Sequence, residues 1–108
     1  MKSLNQIADQ AHAHSVAKGF WTGDANCNLP TKVALIHSEV SEVLEALRHH
    51  NPPSEHVPEI SAVAEELADI IIRVGDLAQR MGIDLDEAVE LKMAFNSTRP
   101  IMHGNKAF

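Results

Sequence analysis

Apolar residues recur three and four positions apart in four stretches of the chain, which is the spacing of an amphipathic α-helix. A Ser or Asp with a Gln or Glu three positions later precedes the first and fourth stretches, and this is the pattern of a helix-capping box. Short connections separate the stretches, so the pattern predicts an all-α fold resembling a four-helix bundle. The predicted helices run from Ser3 to about Lys18, from Pro30 to about His50, from Pro58 to about Met81 and from Asp84 to about Asn96.

The third predicted helix is apolar on more than one side. Ile70 and Ile71 belong to its main apolar stripe, whereas Ile72 points well away from it. A helix of this kind is usually buried all round. In so small a protein this predicts a subunit interface, and therefore an oligomer.

The length of the chain favours one domain that spans residues 1–108. Fifteen acidic and nine basic residues give a net charge of −6, which argues against a nucleic-acid polymer as partner. The single Cys27 cannot form a disulfide within the chain, as is usual in a reducing cytoplasm. Neither a signal-peptide h-region nor an apolar run long enough for a membrane span is visible, so we expect a cytoplasmic protein without a membrane partner.

Two pairs of carboxylates offer the chemistry of a metal site. Glu39 and Glu42 lie three residues apart in the second predicted helix, and Glu66 and Asp69 lie three apart in the third. Residues at this spacing share one helix face, so antiparallel packing of the two helices brings all four acids together. Four like charges at close range repel one another unless a cation neutralises them. The pattern predicts a site for Mg²⁺, with Mn²⁺ as a substitute, because hard cations prefer oxygen ligands.

A solvated helix face is the alternative explanation for each pair. Both pairs, however, flank apolar stripes on consecutive helices, and this favours the metal site. A di-iron carboxylate site is the rival metal centre, but it requires Glu-x-x-His on two helices. No Glu of the second or third helix has a His three residues later.

Aromatic and basic residues are candidates for substrate contacts. Trp21, in the loop between the first two helices, either plugs the end of the bundle or forms a wall on which a flat base stacks. Lys92, Asn96 and Arg99 share one side of the fourth helix, where cations and an amide suit phosphate oxygens. Lys106 in the tail is a further candidate, although scattered solvated charges remain the alternative for all of these cations.

Three motifs in order resemble the MazG-like, all-α nucleoside triphosphate pyrophosphohydrolases. The motifs are Leu35-Ile36-His37-Ser38-Glu39-Val40-Ser41-Glu42, Glu65-Glu66-Leu67-Ala68-Asp69-Ile70-Ile71, and Lys92-Met93-Ala94-Phe95-Asn96-Ser97-Thr98-Arg99-Pro100 followed by His103-Gly104. The resemblance implies hydrolysis of a (deoxy)nucleoside triphosphate between the α and β phosphates, which yields the monophosphate and pyrophosphate. It also implies a dimer or a dimer of dimers.

The resemblance also suggests a role for each matching residue. Glu39, Glu42, Glu66 and Asp69 would hold Mg²⁺, and Glu42 or Glu39 would act as the general base. Lys92 and Asn96 would contact phosphate or sugar, with Arg99 and Lys106 as further polyphosphate contacts.

Two other function classes remain open. One is a related phosphoanhydride hydrolase, either dUTPase-like or phosphoribosyl-ATP pyrophosphohydrolase-like. The other is a non-catalytic helical interaction module whose acids are structural, and it predicts that Mg²⁺ and nucleotide do not stabilise the fold.

Overall fold

Helices account for all the regular structure in residues 1–22 and 29–100, the ranges that the computed structural model describes. In these ranges there is no strand, and one isolated β-bridge joins Pro53 to Ser61. The all-α prediction is therefore confirmed. None of the described helices combines the length and apolar character that a membrane span needs. The described residues form four helices, α1 (Leu4–Ala17), α2 (Leu29–Arg48), α3 (Ala62–Arg80) and α4 (Leu85–Asn96).

The predicted starts of α1 and α4 are confirmed by their caps. The Ser3 hydroxyl accepts the Gln6 N–H at 3.1 Å, and the Gln6 side chain accepts the Ser3 N–H at 2.8 Å. Asp84 accepts the Glu87 N–H at 3.0 Å. Both caps use partners three residues away, so the local sequence is sufficient to specify them.

The predicted start of α3 at Pro58 is wrong, because the helix begins at Ala62 with Ser61 as its N-cap. The preceding residues form a compact connection that folds back on itself. Ala62 N–H donates to Pro52 O at 2.7 Å, and Ser54 N–H donates to Ile60 O at 2.9 Å. These backbone bonds hold Pro58 in a turn outside the helix.

Helix α3 is the centre of the fold, since it packs against both α1 and α2. The α2–α3 pair is antiparallel: Val63 N–H at the start of α3 donates to Asn51, just beyond α2, and Arg73 further along α3 reaches back to Glu39. Helix α1 approaches α3 at Gly75, where an added Cβ would lie 3.0 Å from the Ala8 Cα. The absence of a side chain at Gly75 therefore permits this close crossing.

The N-termini of α1 and α4 cap each other. The Asp86 carboxylate accepts the Leu4 and Asn5 N–H groups at 3.0 and 3.2 Å. In return, the Asn5 side chain accepts the Leu85 N–H at 2.8 Å and donates to Asp84 at 2.7 Å. These bonds satisfy N–H groups that lack a partner within either helix and fix where α4 begins.

Among the described residues, the buried hydrophobic side chains are small, and no large side chain is fully buried. The apolar stripe of α2 is half exposed, with Leu44 at 51% and Leu47 at 56%. Ile71 and Ile72 of α3 are each 48% exposed. One copy of the chain therefore leaves much of its predicted apolar stripes uncovered. The buried hydrophobic residues are Ala8, Ala11, Ala46 and Ala78.

Candidate metal centre and adjoining cavity

Three carboxylates from α2 and α3 converge where these helices face each other. Glu66 and Asp69 lie one turn apart on α3, and Glu39 approaches them from α2. One oxygen of each residue lies within 4.8 Å of an oxygen of both others, and all three residues are half-buried. The structure thus brings together three of the four acids that the sequence pairs single out.

The electrostatics of this cluster are those of crowded like charges. Burial, a hydrogen bond with Glu39 and the charge of Asp69 raise the pKa of Glu66 to about 7. Burial and the charge of Glu39 also raise the pKa of Asp69, while Arg73 acts in the opposite direction. Without a cation, the cluster therefore relieves its repulsion by binding a proton near neutral pH.

Arg73 is the internal counter-ion of the cluster. It lies one turn beyond Asp69 on α3, and its Nε donates to Glu39 Oε1 at 2.8 Å. The sequence motifs assign no role to Arg73. Its position four residues after Asp69 is the signal that could have identified it, because such residues share a helix face.

Glu42, the fourth predicted ligand, is exposed and is not part of the converging group. It lines a neighbouring cavity of about 340 Å³, to which Glu66 also contributes. Glu42 therefore lies beside the cluster, on the side of Glu66. Its roles as ligand and as base remain predictions.

The Glu65 side chain bonds to residues of the connection between α2 and α3. Its carboxylate accepts the Ser54 hydroxyl at 2.6 Å and pairs with His56 Nδ1 at 2.8 Å. The hydrogen bonds from Ser54 and His56 lower the pKa of Glu65. The hydrogen bond with Glu65 and the charge of Glu65 raise the pKa of His56. Ser54 is 3% exposed and also accepts the N–H groups of His56 and Val57. Glu65 thus anchors the connection beside the cluster, a role that no sequence pattern indicates.

A cavity of about 290 Å³ adjoins the cluster on the side of α1. Glu39 and Asp69 contribute acidic side chains to it, and Arg73 contributes a cation. Its wall combines apolar, aromatic and polar groups, as expected of a small-molecule site. The remaining lining residues are Ala11, His14, Ser15, Lys18, Phe20, Ile72 and Asp76.

Trp21 is held by contacts within its own chain. Its indole N–H donates to Asp76 Oδ1 at 2.8 Å, and the same oxygen pairs with His12 Nδ1 at 2.8 Å. Lys32 Nζ lies 4.5 Å from the Trp21 ring centroid, and Arg80 Cζ lies 4.9 Å from it. These contacts agree better with the predicted plug than with an open wall for a base.

The predicted substrate contacts of α4 lie elsewhere on the chain. Lys92, Asn96 and Arg99 are exposed, and none of them lines either cavity beside the cluster. Lys92 Nζ and Arg99 Cζ lie 4.8 and 5.8 Å from the Phe95 ring centroid. Lys106 lies outside the described residues. The proposed roles of all four residues remain predictions.

A comparison with models of known protein families matched the MazG-like family over residues 33–107. The chain belongs to the MazG-like family. The match contains the acid cluster and Arg73, whereas Trp21 and the whole of α1 precede it. Searches among curated proteins and among solved structures found no significant match. Membership of the MazG-like family suggests an activity of the nucleotide pyrophosphohydrolase type.

The cluster of this MazG-like protein fits a hard divalent cation. Three carboxylate oxygens within 4.8 Å of one another suit a small ion with oxygen ligands. Burial first, and then the neighbouring Glu39 and Asp69, raise the pKa of Glu66, and a cation bound among these groups would oppose the effect of their charges. Glu39, Glu66 and Asp69 are therefore the residues that would hold the ion.

Proposed function

We propose that this MazG-like protein hydrolyses (deoxy)nucleoside triphosphates between the α and β phosphates in a Mg²⁺-dependent reaction. The convergence of Glu39, Glu66 and Asp69 is the observation that carries the proposal. A triphosphate brings additional negative charge, so an acidic site binds it only with the help of cations. When bound, Mg²⁺ would neutralise and orient the phosphate oxygens.

The adjoining cavity is the proposed substrate site. Glu39 and Asp69 belong both to the cluster and to the wall of this cavity, so phosphates held at the cluster extend into it. Arg73, His14 and Lys18 line the same cavity and provide donors for phosphate oxygens. The rest of the nucleotide then lies towards α1.

Glu42 is the favoured general base. Glu39 already accepts a hydrogen bond from Arg73, and it also interacts with Glu66. Glu42 lies one turn beyond Glu39 on α2 and is exposed. It lines the cavity to which Glu66 also contributes. In the proposed reaction, Glu42 takes a proton from water, and the water oxygen bonds to a phosphorus atom of the α–β anhydride. The bond from that phosphorus to the bridging oxygen breaks, which gives the monophosphate and pyrophosphate.

A second copy of the chain is part of the proposal. The exposed Leu44 and Leu47 of α2, together with Ile71 of α3, leave apolar surface that a partner copy would cover. Such an assembly, a dimer or a dimer of dimers, is also a route by which Lys92 and Asn96 could reach the acid cluster of a neighbouring subunit.

The test is a panel of the eight common (d)NTPs, together with dUTP and phosphoribosyl-ATP, with Mg²⁺ or with EDTA, in which pyrophosphate and phosphate are measured separately. The proposal expects pyrophosphate with Mg²⁺ and none with EDTA. Glu42→Gln should abolish turnover without unfolding the chain, whereas the exposed Glu90→Gln on α4 should not affect it. Release of phosphate alone, or activity restricted to dUTP or phosphoribosyl-ATP, would instead identify a related phosphoanhydride hydrolase.

A non-catalytic module makes a separate prediction. Unfolding curves with and without Mg²⁺ and a nonhydrolysable nucleotide would then coincide, because nothing would bind the native state preferentially. The proposed enzyme requires the midpoint to rise when both are present.

A further inference from the structure

Phe20 occupies a fixed backbone position immediately after α1. Gly19 has a φ of +81°, the left-handed conformation that ends many helices. Its N–H donates to Val16 O, and the Phe20 N–H donates to Ser15 O, both at 3.0 Å. This is the pair of bonds of a Schellman motif. The Lys32 ammonium also donates to Phe20 O at 2.8 Å, so Phe20 is fixed from both α1 and α2.

The side chain of Phe20 is nevertheless not part of the core. In a Schellman motif, the residue at this position often packs against the one five positions earlier, which here is the small Ser15. Phe20 is 63% exposed. Lys32 Nζ lies 5.8 Å from the Phe20 ring centroid, and the residue nevertheless stays largely accessible to a ligand.

Phe20 also lines the cavity that adjoins the acid cluster, together with Glu39 and Asp69. It lines a second cavity as well, which it shares with Lys32 and Leu35. Trp21, by contrast, lines neither cavity, and its indole N–H donates to Asp76. Lys32 Nζ lies closer to the Trp21 ring centroid than to that of Phe20, at 4.5 Å against 5.8 Å, and Arg80 Cζ also lies over the Trp21 ring. The two adjacent aromatic residues therefore differ in what they can contact.

We propose that Phe20, and not Trp21, provides the surface on which the nucleobase of the substrate stacks. The inference rests on the proposed function, because it places the phosphates at Glu39 and Asp69 and the base towards α1. Any nucleobase has a π-face, so Phe20 contributes affinity for the base without selecting one base over another. Trp21 has a positioning role, since its bond to Asp76 ties the segment after α1 to α3.

The experiment compares Phe20→Ala, Phe20→Trp and Trp21→Phe with the wild type in the full chain. Measurements are KM and kcat for the best nucleotide of the panel, and inhibition by tripolyphosphate, which has phosphates but no base. Phe20→Ala should raise KM about tenfold or more, with a smaller effect on kcat, because stacking on an aromatic ring is lost. Inhibition by tripolyphosphate should be unchanged, and Phe20→Trp should restore KM. Trp21→Phe should lower the unfolding midpoint and change KM less than Phe20→Ala does.

The outcomes separate this inference from the proposed function. A wild type that hydrolyses nucleotides with a KM unaffected by Phe20→Ala overturns the stacking role alone. Equal weakening of nucleotide and tripolyphosphate, or a changed oligomer mass in Phe20→Ala, overturns it too, because Phe20 would then act on phosphate or on assembly. A wild type that neither hydrolyses nor binds any nucleotide overturns both proposals.

Discussion

The Arg73 guanidinium donates its Nε–H to Glu39 Oε1 at 2.8 Å and thereby joins α3 to α2 beside the acid cluster. The Glu39 side chain is 15% exposed and the Arg73 side chain 40%. Because Arg73 is partly solvated, the pair contributes less to stability than a fully buried one. Its position nevertheless places a fixed positive charge beside a group of carboxylates.

Removing that charge should destabilise the metal-free fold. Arg73→Met leaves Glu39 beside Glu66 and Asp69 without its counter-ion, and we expect a loss of about 1–2 kcal/mol in the free energy of unfolding at pH 8. Mg²⁺ should restore more stability to this variant than to the wild type. Urea unfolding with EDTA or Mg²⁺ measures both effects, with the exposed Arg48→Met on α2 as the control. If both variants lose the same free energy of unfolding, Arg73 does not offset the negative charge of the cluster.

The raised pKa of Glu66 predicts a pH dependence in the absence of metal. The folded-state pKa of about 7 lies above the ordinary value of 4.5, so the folded state holds this proton more tightly than the unfolded chain. This group's contribution to stability is therefore greatest below about pH 4.5 and is lost as the pH rises through about 7. Glu66→Gln removes the cost of ionising a half-buried carboxyl group. In EDTA, this variant should therefore be more stable than the wild type at pH 8, but it should gain little stability at pH 5.

Thermal unfolding across this pH range checks the prediction, with Glu90→Gln as the control for losing an exposed carboxylate. Mg²⁺ should stabilise the wild type at pH 8 and should not stabilise Glu66→Gln. A Glu66→Gln variant no more stable than the wild type at pH 8 without metal would contradict the account of the crowded carboxylates.

Replacing Ser54 should lower the free energy of unfolding more than replacing an exposed serine does. Ser54→Ala removes a donor to Glu65 and leaves the His56 and Val57 N–H groups without their acceptor, at a cost of about 1–3 kcal/mol. Urea unfolding measures this loss. Ser41→Ala on α2 is the matched control, because the Ser41 hydroxyl donates to His37 O on an exposed face. If the two variants lose the same stability, the buried network does not hold the connection.

The exposed apolar stripe of α2 predicts self-association. Leu44→Glu places a charge at a position that is 51% exposed in one chain, so the chain itself tolerates it, whereas an apolar interface does not. Light scattering should give the mass of a dimer or tetramer for the wild type and for Leu44→Met, and a smaller mass for Leu44→Glu. A wild type that is monomeric at micromolar concentration would exclude this part of the proposal.

Sequence analysis predicted those features that depend on near neighbours. The caps at Ser3 and Asp84 use partners three residues away, and the helical periodicity gave four helices. The start of α3 was misplaced because it depends on the bond between Pro52 and Ala62, across a connection that folds back. Proline is common in the first turn of a helix, so the local sequence favoured a start at Pro58. A hydrogen bond between distant backbone groups cannot be inferred from such a local preference.

The candidate site shows the same division. Spacing alone placed Glu66 and Asp69 on one face of α3 and predicted that α2 would bring acids to them. The bond between Arg73 and Glu39 depends on how the two helices are aligned, which spacing does not specify. The difference between Phe20 and Trp21 arises from the contacts of Trp21 with Asp76 and Arg80 on α3, so an aromatic pair in a loop could not reveal it.

The central claim is that Glu39, Glu66 and Asp69 together bind the divalent ion required for hydrolysis. Anomalous X-ray diffraction from crystals grown with Mn²⁺ tests it most directly, because Mn²⁺ replaces Mg²⁺ and its position can be located unambiguously. The account predicts an anomalous peak coordinated by carboxylate oxygens of these three residues, and its loss in Glu66→Gln. A peak located elsewhere, or one that persists unchanged in Glu66→Gln, would contradict it.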